Sequence, residues 1–258
     1  MSRSPCCRIA FFALLTLASG LARADLGAAQ GYNLFVFDSL STTGLSSQGA
    51  VAVGGSTSGN VWAPGSSTSS IDFSAAQSQL TGLSNSLAAL AANGTTSVTP
   101  WRSVNLTGTS STLNVFNVKG SDLSSGNGLY ISTPSGSTVV INVDGSSVSL
   151  QNMGISLGAA NQVATTSKDK ILFNFAQASS LNISSIGVTG SILAPYASVS
   201  FSNGSLDGTL IAQSVSGSGT YKINSFTGTI AAVPEPQSWA MLMAGLGMLG
   251  IVLRRRRR

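Results

Sequence analysis

Short apolar runs, separated by small polar residues, dominate the chain between residues 31 and 230. Each run is four to eight residues long and ends at Gly, Ser, Asn or an Asp-Gly pair, which is the pattern of β-strands bounded by turns. The clearest runs are Leu34–Phe37, Gln48–Gly55, Leu113–Val118, Val139–Val143 and Ile171–Phe175. The pattern predicts a mainly β fold.

One soluble segment has the period of a helix instead. Between Ile71 and Asn93, apolar residues recur at alternating steps of three and four, which places them on one stripe. They are Phe73, Ala76, Leu80, Leu83, Leu87 and Leu90. Asp72 or Ser74 can cap the start, and Asn93-Gly94 is the expected left-handed stop. We expect a long amphipathic helix of roughly 30 Å that packs along a surface of similar length.

An internal echo indicates how the strands are stacked. Gly208–Ala212 repeats the pattern of Gly190–Ala194 eighteen residues earlier, a spacing typical of one turn of a β-solenoid. Strands about 4.8 Å apart would place about six turns along the helix, which would cover one flank. A β-sandwich is the alternative, because short strands with frequent turns suit it too.

The N-terminus has the features of a secretory signal peptide over residues 1–24. Arg3 and Arg8 precede an apolar run, and Ala22 and Ala24 form the small-x-small cleavage site. Asp25 is the predicted first residue of the mature protein, so residues 25–232 would form an extracytoplasmic β-rich domain.

The segment from Val233 to Arg258 has three ordered parts. Pro234, Glu235 and Pro236 give extended backbone, and Trp239–Leu253 is free of charge and long enough for a short membrane-spanning helix. The chain then ends in five basic residues, which place this end on the cytoplasmic side. They are Arg254, Arg255, Arg256, Arg257 and Arg258.

Composition and net charge exclude one class of partner for the mature domain. The whole chain carries a net charge of +5, but the two terminal segments supply it. Residues 25–233 contain five basic and seven acidic residues, a net charge of −2. Nucleic acid is excluded as a partner, because it requires clustered cations. Charged residues make up 8% of the chain, and Ser, Thr, Asn and Gly replace them at the surface.

Catalytic and metal chemistry has few candidates. The chain has no histidine, and its two cysteines fall in the predicted signal peptide, which excludes Ser-His-Asp, Cys-His and histidine-liganded zinc sites. Lys168 and Lys170 flank Asp169 in a polar loop, while Asp144 and Asp207 precede glycines and are expected to form turns. A β-helix enzyme that cleaves polysaccharide would need such scattered carboxylates to meet. We therefore predict no catalytic residue, no metal and no cofactor.

Three aromatic candidates for carbohydrate contact are Trp62, Trp101 and Tyr196. Aromatic rings can stack on sugars, yet burial in the core or at a cap of the solenoid is the expected use of the two tryptophans.

The C-terminal pattern resembles the PEP-CTERM sorting signal of Gram-negative bacteria. The matching residues are Pro234, Glu235 and Pro236, followed by the apolar run and the terminal arginines. The resemblance implies export through the Sec machinery, a transient stay in the inner membrane and processing by an exosortase.

The mature domain resembles the choice-of-anchor A domain of bacterial surface proteins. The resemblance rests on Gly31–Val36, Gly49–Gly55, Gly190–Pro195 and Gly208–Ala212. It implies an adhesive role and a β-helical, ice-binding-like architecture. We therefore expect a non-catalytic adhesive or structural protein of the cell surface or biofilm matrix, with exopolysaccharide as a candidate partner. A carbohydrate- or ice-binding module is the alternative, and a polysaccharide-degrading β-helix enzyme is the third hypothesis.

Overall fold

The computed structural model describes residues 26–65, 70–158 and 166–230. The predicted signal peptide, the Pro-Glu-Pro motif and the predicted membrane-spanning helix lie outside these ranges. Within them, no helix is long and apolar enough to cross a membrane.

Fifteen strands and two α-helices are described, with two short 3-10 turns. The strands are β1 (Tyr32–Ser47), β2 (Ala50–Val53), β3 (Thr57–Trp62), β4 (Thr95–Val98), β5 (Ser103–Thr107), β6 (Leu113–Val118), β7 (Gly128–Ser132), β8 (Thr138–Val143), β9 (Ser147–Gln151), β10 (Gly154–Leu157), β11 (Ile171–Asn174), β12 (Ser180–Ser184), β13 (Gly187–Thr189), β14 (Ser191–Asp207) and β15 (Leu210–Lys222). The helices are α1 (Phe73–Ala88) and α2 (Gly120–Ser124).

Thirteen of the described strands wind into seven stacked coils, which we number along the chain, and β4 and β5 lie beyond coil 3. Coils 1 to 7 span residues 32–47, 50–62, 113–132, 138–157, 171–189, 191–207 and 210–222. Neighbouring coils pair in parallel, and among the described strands only β4 and β5 pair antiparallel. Parallel coils of this kind belong to a β-helix-like fold and not to a sandwich of antiparallel sheets. The predicted echo is confirmed, because Ile192 pairs with Leu210 and Leu193 with Ile211.

The coils do not stack in the order of the chain. On the face that carries α1, the order of strands is β2-β1-β15-β14-β11-β8-β6, so the stack runs through coils 2-1-7-6-5-4-3. After coil 2, the chain must therefore travel to the far end of the stack before coil 3 begins. Helix α1 makes this return, and the later coils then build back until coil 7 meets coil 1.

Contacts of α1 follow this route. Its first residue, Phe73, lies with its ring 5.1 Å from that of Phe35 in coil 1. Gln77 then donates to Gln213 of coil 7 at 2.6 Å, and Ser84 donates to Asn174 of coil 5 at 2.5 Å. The predicted stripe forms an apolar cluster with outward residues of the sheet. These are Ala52, Phe35, Ile211, Leu193, Leu172, Val140 and Val115.

The boundaries of α1 are only partly as predicted. Asp72 is the N-cap, and its carboxylate accepts from the amide of Ala75 at 2.9 Å. The helix ends at Ala88, however, and the prediction that Asn93-Gly94 stops it is wrong. The Asn93 side chain instead accepts from Val115 N at 2.7 Å, because it joins the edge of coil 3.

Two asparagines of the sheet complete the end of α1. Asn142 Nδ2 donates to the carbonyl of Leu87 at 2.8 Å, and Asn174 Nδ2 donates to the carbonyl of Ser84 at 2.9 Å. The last four carbonyls of a helix lack the usual partner within it, and that of Leu87 is one of them, for which Asn142 supplies a partner. The sheet therefore performs the role that the sequence assigned to a glycine stop.

The segment after coil 7 runs back along the stack. The amide of Thr227 donates to the carbonyl of Asp169 beside coil 5 at 2.7 Å, and that of Thr229 donates to Thr138 Oγ1 of coil 4 at 2.9 Å. Phe226 and Ile230 are buried in the cluster beneath α1. Residue 230 therefore lies toward the end of the stack away from coil 2.

Candidate functional site

One face of the stack is an array of small polar side chains, which we call the serine face. It is formed by β9, β12, the middle parts of β14, β15 and β1, and the start of β3. Alternate residues point inward to the core, and the others point outward. Helix α2 takes the place of the strand in coil 3, so that the array ends there.

Two outward rows cross the serine face in register. The first row is Ser147, Ser180, Ser198, Ser214 and Ser39. The second row is Ser149, Asn182, Ser200, Ser216, Ser41 and Ser58. Neither row contains a charged residue. Because strands lie about 4.8 Å apart, the polar side chains, all hydroxyls except the amide of Asn182, repeat at that spacing over five or six coils.

Hydrogen bonds connect the rows from coil to coil. Ser214 Oγ donates to Ser198 Oγ at 3.0 Å, and Asn182 Nδ2 donates to Ser149 Oγ at 3.2 Å. A hydroxyl both donates and accepts, so each side chain keeps a further bonding direction toward solvent. The face can therefore offer a regular set of donors and acceptors to a hydroxyl-rich surface.

The corner that follows the serine face contains left-handed backbone in six coils. Asn152, Ser185 and Asn203 have φ of 50°, 53° and 51°, and Gly217 has φ of 109°. Gly44 and Gly59 occupy the corner of coils 1 and 2. This tight turn in each coil begins the third face of the stack, which is formed by β4, β5, β7, β10, β13 and the last parts of β1, β3, β14 and β15.

A groove of about 510 Å³ opens where this corner reaches the end coil. It is lined by Gly44, Leu45, Ser46, Asn60, Trp62, Asn203, Gly204, Ser218, Gly219 and Thr220. No charged residue is among them. Trp62 is 82% exposed and stands at the edge of the groove, on the terminal strand β3.

The expected burial of the tryptophans is wrong. Trp62 is 82% and Trp101 80% exposed, while Tyr196 is 48% exposed at the turn that leads into the serine face. Trp101 lies between β4 and β5, at the opposite end of the stack from Trp62. Their exposure follows from topology, since Trp62 lies on the end strand β3 and Trp101 lies in the turn that follows the end strand β4, where no further coil covers them.

The acidic candidates do not form one site. Asp144 accepts from the amide of Gly120 at 2.9 Å at the corner before the serine face. Asp207 pairs with Lys168 at 2.5 Å at the corner after the third face. Asp122 lies on α2. Among the described residues, no three His, Cys, Asp or Glu side chains are close enough together to hold a metal ion.

The predicted processing residues cannot be placed in this geometry. Pro234, Glu235, Pro236 and Arg254–Arg258 fall outside the described ranges, as do Ala22, Ala24 and Asp25. The serine face, in contrast, was missed at the sequence level. Its signal is the alternation Ser198-Val-Ser-Phe-Ser202, but the pattern does not say which other serines lie beside it.

Two family models match the chain. The model described as "Putative Ice-binding-like adhesive domain" matches residues 25–66 and 56–223. The model described as "PEP-CTERM protein-sorting motif" matches residues 232–258. No curated protein matches this sequence.

Solved structures of ice-binding proteins share the fold. One from the Antarctic ascomycete Antarctomyces psychrotrophicus superposes with a TM-score of 0.54 at 15% identity, over 78% of this chain and 98% of that one. One from an Antarctic biological consortium gives 0.50 at 16% identity, over 78% and 90%. One from an Antarctic bacterium of the Flavobacteriaceae gives 0.50 at 13% identity, over 84% and 52%. At these identities, the likeness concerns the fold alone.

Proposed function

The chain belongs to this family of ice-binding-like adhesive domains, and from that premise we propose that it is a non-catalytic adhesive protein of the cell surface. The observation that carries the proposal is the order of the two matched regions. An adhesive domain over residues 25–223 is followed directly by a sorting motif over residues 232–258. An exosortase would recognise Pro234, Glu235 and Pro236 and release the domain to the envelope or to an exopolysaccharide matrix.

The serine face is the proposed adhesive surface. Its two rows offer closely spaced hydroxyls without a charge, and the strands beneath them are held in register by parallel pairing on both sides. A surface whose donors and acceptors are already fixed loses little conformational entropy when it binds. A polysaccharide presents hydroxyls of the same kind, so the chemistry of the two surfaces is complementary.

A neutral polysaccharide surface should be bound through many weak contacts. Each exposed hydrogen bond contributes only about 1 kcal/mol after exchange with water. Eleven outward side chains in the two rows allow such contacts to add up, provided that the target is extended and repetitive. This favours a matrix polymer over a small soluble ligand.

Sorting is tested by the mass of the exported protein. We expect the form recovered from cells with an active exosortase to lack the residues after the Pro-Glu-Pro motif. A Glu235→Ala variant, and cells without the exosortase, should retain them in the membrane fraction. An uncleaved tail in cells with an active exosortase would contradict the proposal.

Adhesion is tested with a matched pair of serine variants. Ser200→Lys places a charge in the middle of the serine face, whereas Ser156→Lys makes the same change at an exposed position of β10 on the third face. We expect Ser200→Lys to reduce co-sedimentation with the matrix of the producing cells and Ser156→Lys to leave it unchanged. Equal binding by both variants would exclude the serine face.

Ice binding is the second candidate, favoured by the regular spacing of the rows on the serine face. It predicts that the protein enters growing ice in an ice-affinity assay and that Ser200→Lys abolishes this. Exclusion of the unmodified protein from ice would remove the candidate and leave adhesion to polysaccharide.

A further inference from the structure

The exposed position of Trp62 is unusual for its size. A tryptophan side chain can bury about 150–250 Å² and usually does so in part, yet 82% of Trp62 is accessible. Its neighbour across the pair with β1 is Ser46, and the outward row continues through Thr220, Ser205 and Gly187, all small residues. The indole therefore projects beside a row of small side chains, which leave space next to its ring.

The floor of the adjacent groove is kept open by glycines. A Cβ at Gly44 would meet no atom within 4 Å, so its absence leaves free space at the corner. At Gly219, a Cβ would come within 2.3 Å of the Phe201 ring, so the backbone there lies directly on the core. The lining extends over coils 2, 1, 7 and 6, with Trp62 in the coil at one end and Asn203 in the coil at the other.

Polar groups around the groove are not used by the fold. The side chains of Asn60, Asn203, Ser218 and Thr220 make no hydrogen bond to another described residue. They supply two amides and two hydroxyls, all of which can both donate and accept. None of the ten lining residues is an acid or a base, so the groove has no group that could activate a hydroxyl or a water for cleavage.

We propose that this groove binds a short run of consecutive uncharged hexopyranose units of a polysaccharide, with the apolar C–H face of one sugar on the indole of Trp62. The hydroxyls of the run would then meet Asn60 in coil 2, the hydroxyls of the groove, and Asn203 in coil 6. The proposal rests on the proposed adhesive function and deepens it, because it names the ligand class and a second contact besides the serine face. An aromatic platform with a few convergent polar groups is the usual composition of a small-ligand site.

The path of the C-terminal segment shows where the groove lies relative to the end of the domain. Thr229 is bonded to coil 4, which lies five strand spacings from coil 2 in the stack, or about 24 Å. A protein held at its C-terminal end would thus carry Trp62 toward the far end of the stack. Sugar binding there is compatible with retention of the tail as well as with its removal.

The test is affinity electrophoresis of the protein, purified in the form that producing cells export. Native gels contain hydroxyethylcellulose, dextran or galactomannan as neutral polymers, or polygalacturonate as a charged one. The variants are Trp62→Ala and Trp101→Ala, which remove similarly exposed indoles from opposite ends of the stack. We expect at least one neutral polymer to retard the unmodified protein and Trp101→Ala. For Trp62→Ala, we expect binding weaker on the order of tenfold, because the apolar platform for the sugar is removed.

A second variant tests the polar side of the groove. Asn203→Gly removes the amide but tolerates the left-handed backbone, since φ at this position is 51°. We expect it to weaken retardation while leaving the unfolding transition in place. Circular dichroism of all variants verifies that the fold is retained.

The outcomes separate this inference from the proposed function. Equal retardation of Trp62→Ala and the unmodified protein would contradict sugar binding in the groove. Retardation by polygalacturonate alone, or by none of the polymers, would contradict it too. Each of these results leaves the adhesive function intact if the protein still sediments with the cell matrix in the assay above. Failure to sediment would instead count against the adhesive function.

Discussion

Ser214 donates a hydrogen bond to Ser198 across 3.0 Å, and the two residues occupy the same position in neighbouring coils. Each lies between further serines on the coils beyond, so the bond is one step of a row that crosses the stack. The row is exposed and uncharged, and inward-pointing Val199 and Val215 hold it on the core. The surface that we propose for adhesion is therefore a regular part of the fold.

Adhesion through the serine face should be insensitive to salt. Its rows carry no charge, and screening acts only on charged partners. We expect co-sedimentation with the matrix to change less than about twofold between roughly 0.05 and 0.5 M NaCl. The Ser200→Lys variant provides the contrast, since any residual binding that it shows to an acidic polymer should fall with salt. A steep loss of co-sedimentation by the unmodified protein at high salt would indicate that its few charged residues mediate adhesion instead.

Loss of Asn174 should destabilise the fold. Its side chain bonds to Ser84 twice and to Asn142 once, all in a buried position. Asn174→Ala leaves these groups without partners, which costs about 2–4 kcal/mol of unfolding free energy. Asn117→Ala is the control. Asn117 stands in the same row across the sheet, next to Asn142, but its side chain is exposed. Urea unfolding measures both, and similar midpoints for the two variants would contradict the role of Asn174 at the end of α1.

A glycine with positive φ at the corner after the serine face should not tolerate a side chain where a neighbouring coil packs against it. A Cβ at Gly217, where φ is 109°, would stand 2.1 Å from the carbonyl oxygen of Phe201. Gly136 also has positive φ, 75°, but a Cβ there meets nothing within 4 Å. We expect Gly136→Ala to cost about 1–2 kcal/mol and Gly217→Ala about 3 kcal/mol or more. Thermal unfolding compares them, and a smaller loss at Gly217 would mean that neighbouring coils can separate locally.

Asp169 should make stability depend on pH in the acid range. Partial burial acts to raise the pKa of Asp169, but hydrogen bonds from Ser167 and Thr227 and the charge of Lys170 outweigh it and hold the pKa below 3.8. A lowered pKa in the folded state stabilises the fold above the unfolded value, and this contribution disappears as pH falls through the folded value. We therefore expect the contact between Asp169 and the C-terminal segment to weaken below about pH 4.

Asp169→Asn tests this expectation, with Asp38→Asn at an exposed position as the control. Urea midpoints between about pH 7 and pH 3 should fall less steeply for Asp169→Asn than for the unmodified protein. They should keep the original slope for Asp38→Asn. Parallel slopes for all three proteins would show that Asp169 does not couple the segment to pH.

Several features of the fold follow from local pattern. The apolar stripe on α1 and the strands β6, β8 and β11 were predicted because side-chain periods of 3.6 and 2 reflect burial on one face. The eighteen-residue echo predicted the pairing of Ile192 with Leu210, since consecutive coils of similar length stack in register. The C-terminal sorting motif is likewise a sequence pattern, as is the predicted export signal, and the predicted role of each depends on no contact with the domain.

Other features depended on which segments meet. Ser39 and Ser214 are neighbours in a row although 175 residues separate them, because coil 1 stacks on coil 7 and not on coil 3. Nothing in the local pattern of either strand encodes that partner. The same stacking order leaves β3 and β4 at the ends of the sheets, and this is why Trp62 and Trp101 are exposed.

The sequence by itself thus determined the kind of element, the length of a coil and the C-terminal sorting motif, and it predicted the N-terminal export signal, since these depend on short stretches of chain. Only the tertiary structure decided the order of the coils, and with it the serine face and the groove at Trp62. The physical reason is that any two parallel coils of matching length can pair through their backbones. Which coils pair is decided by helix α1, which carries the chain from coil 2 to the far end of the stack, and by the apolar packing around that helix.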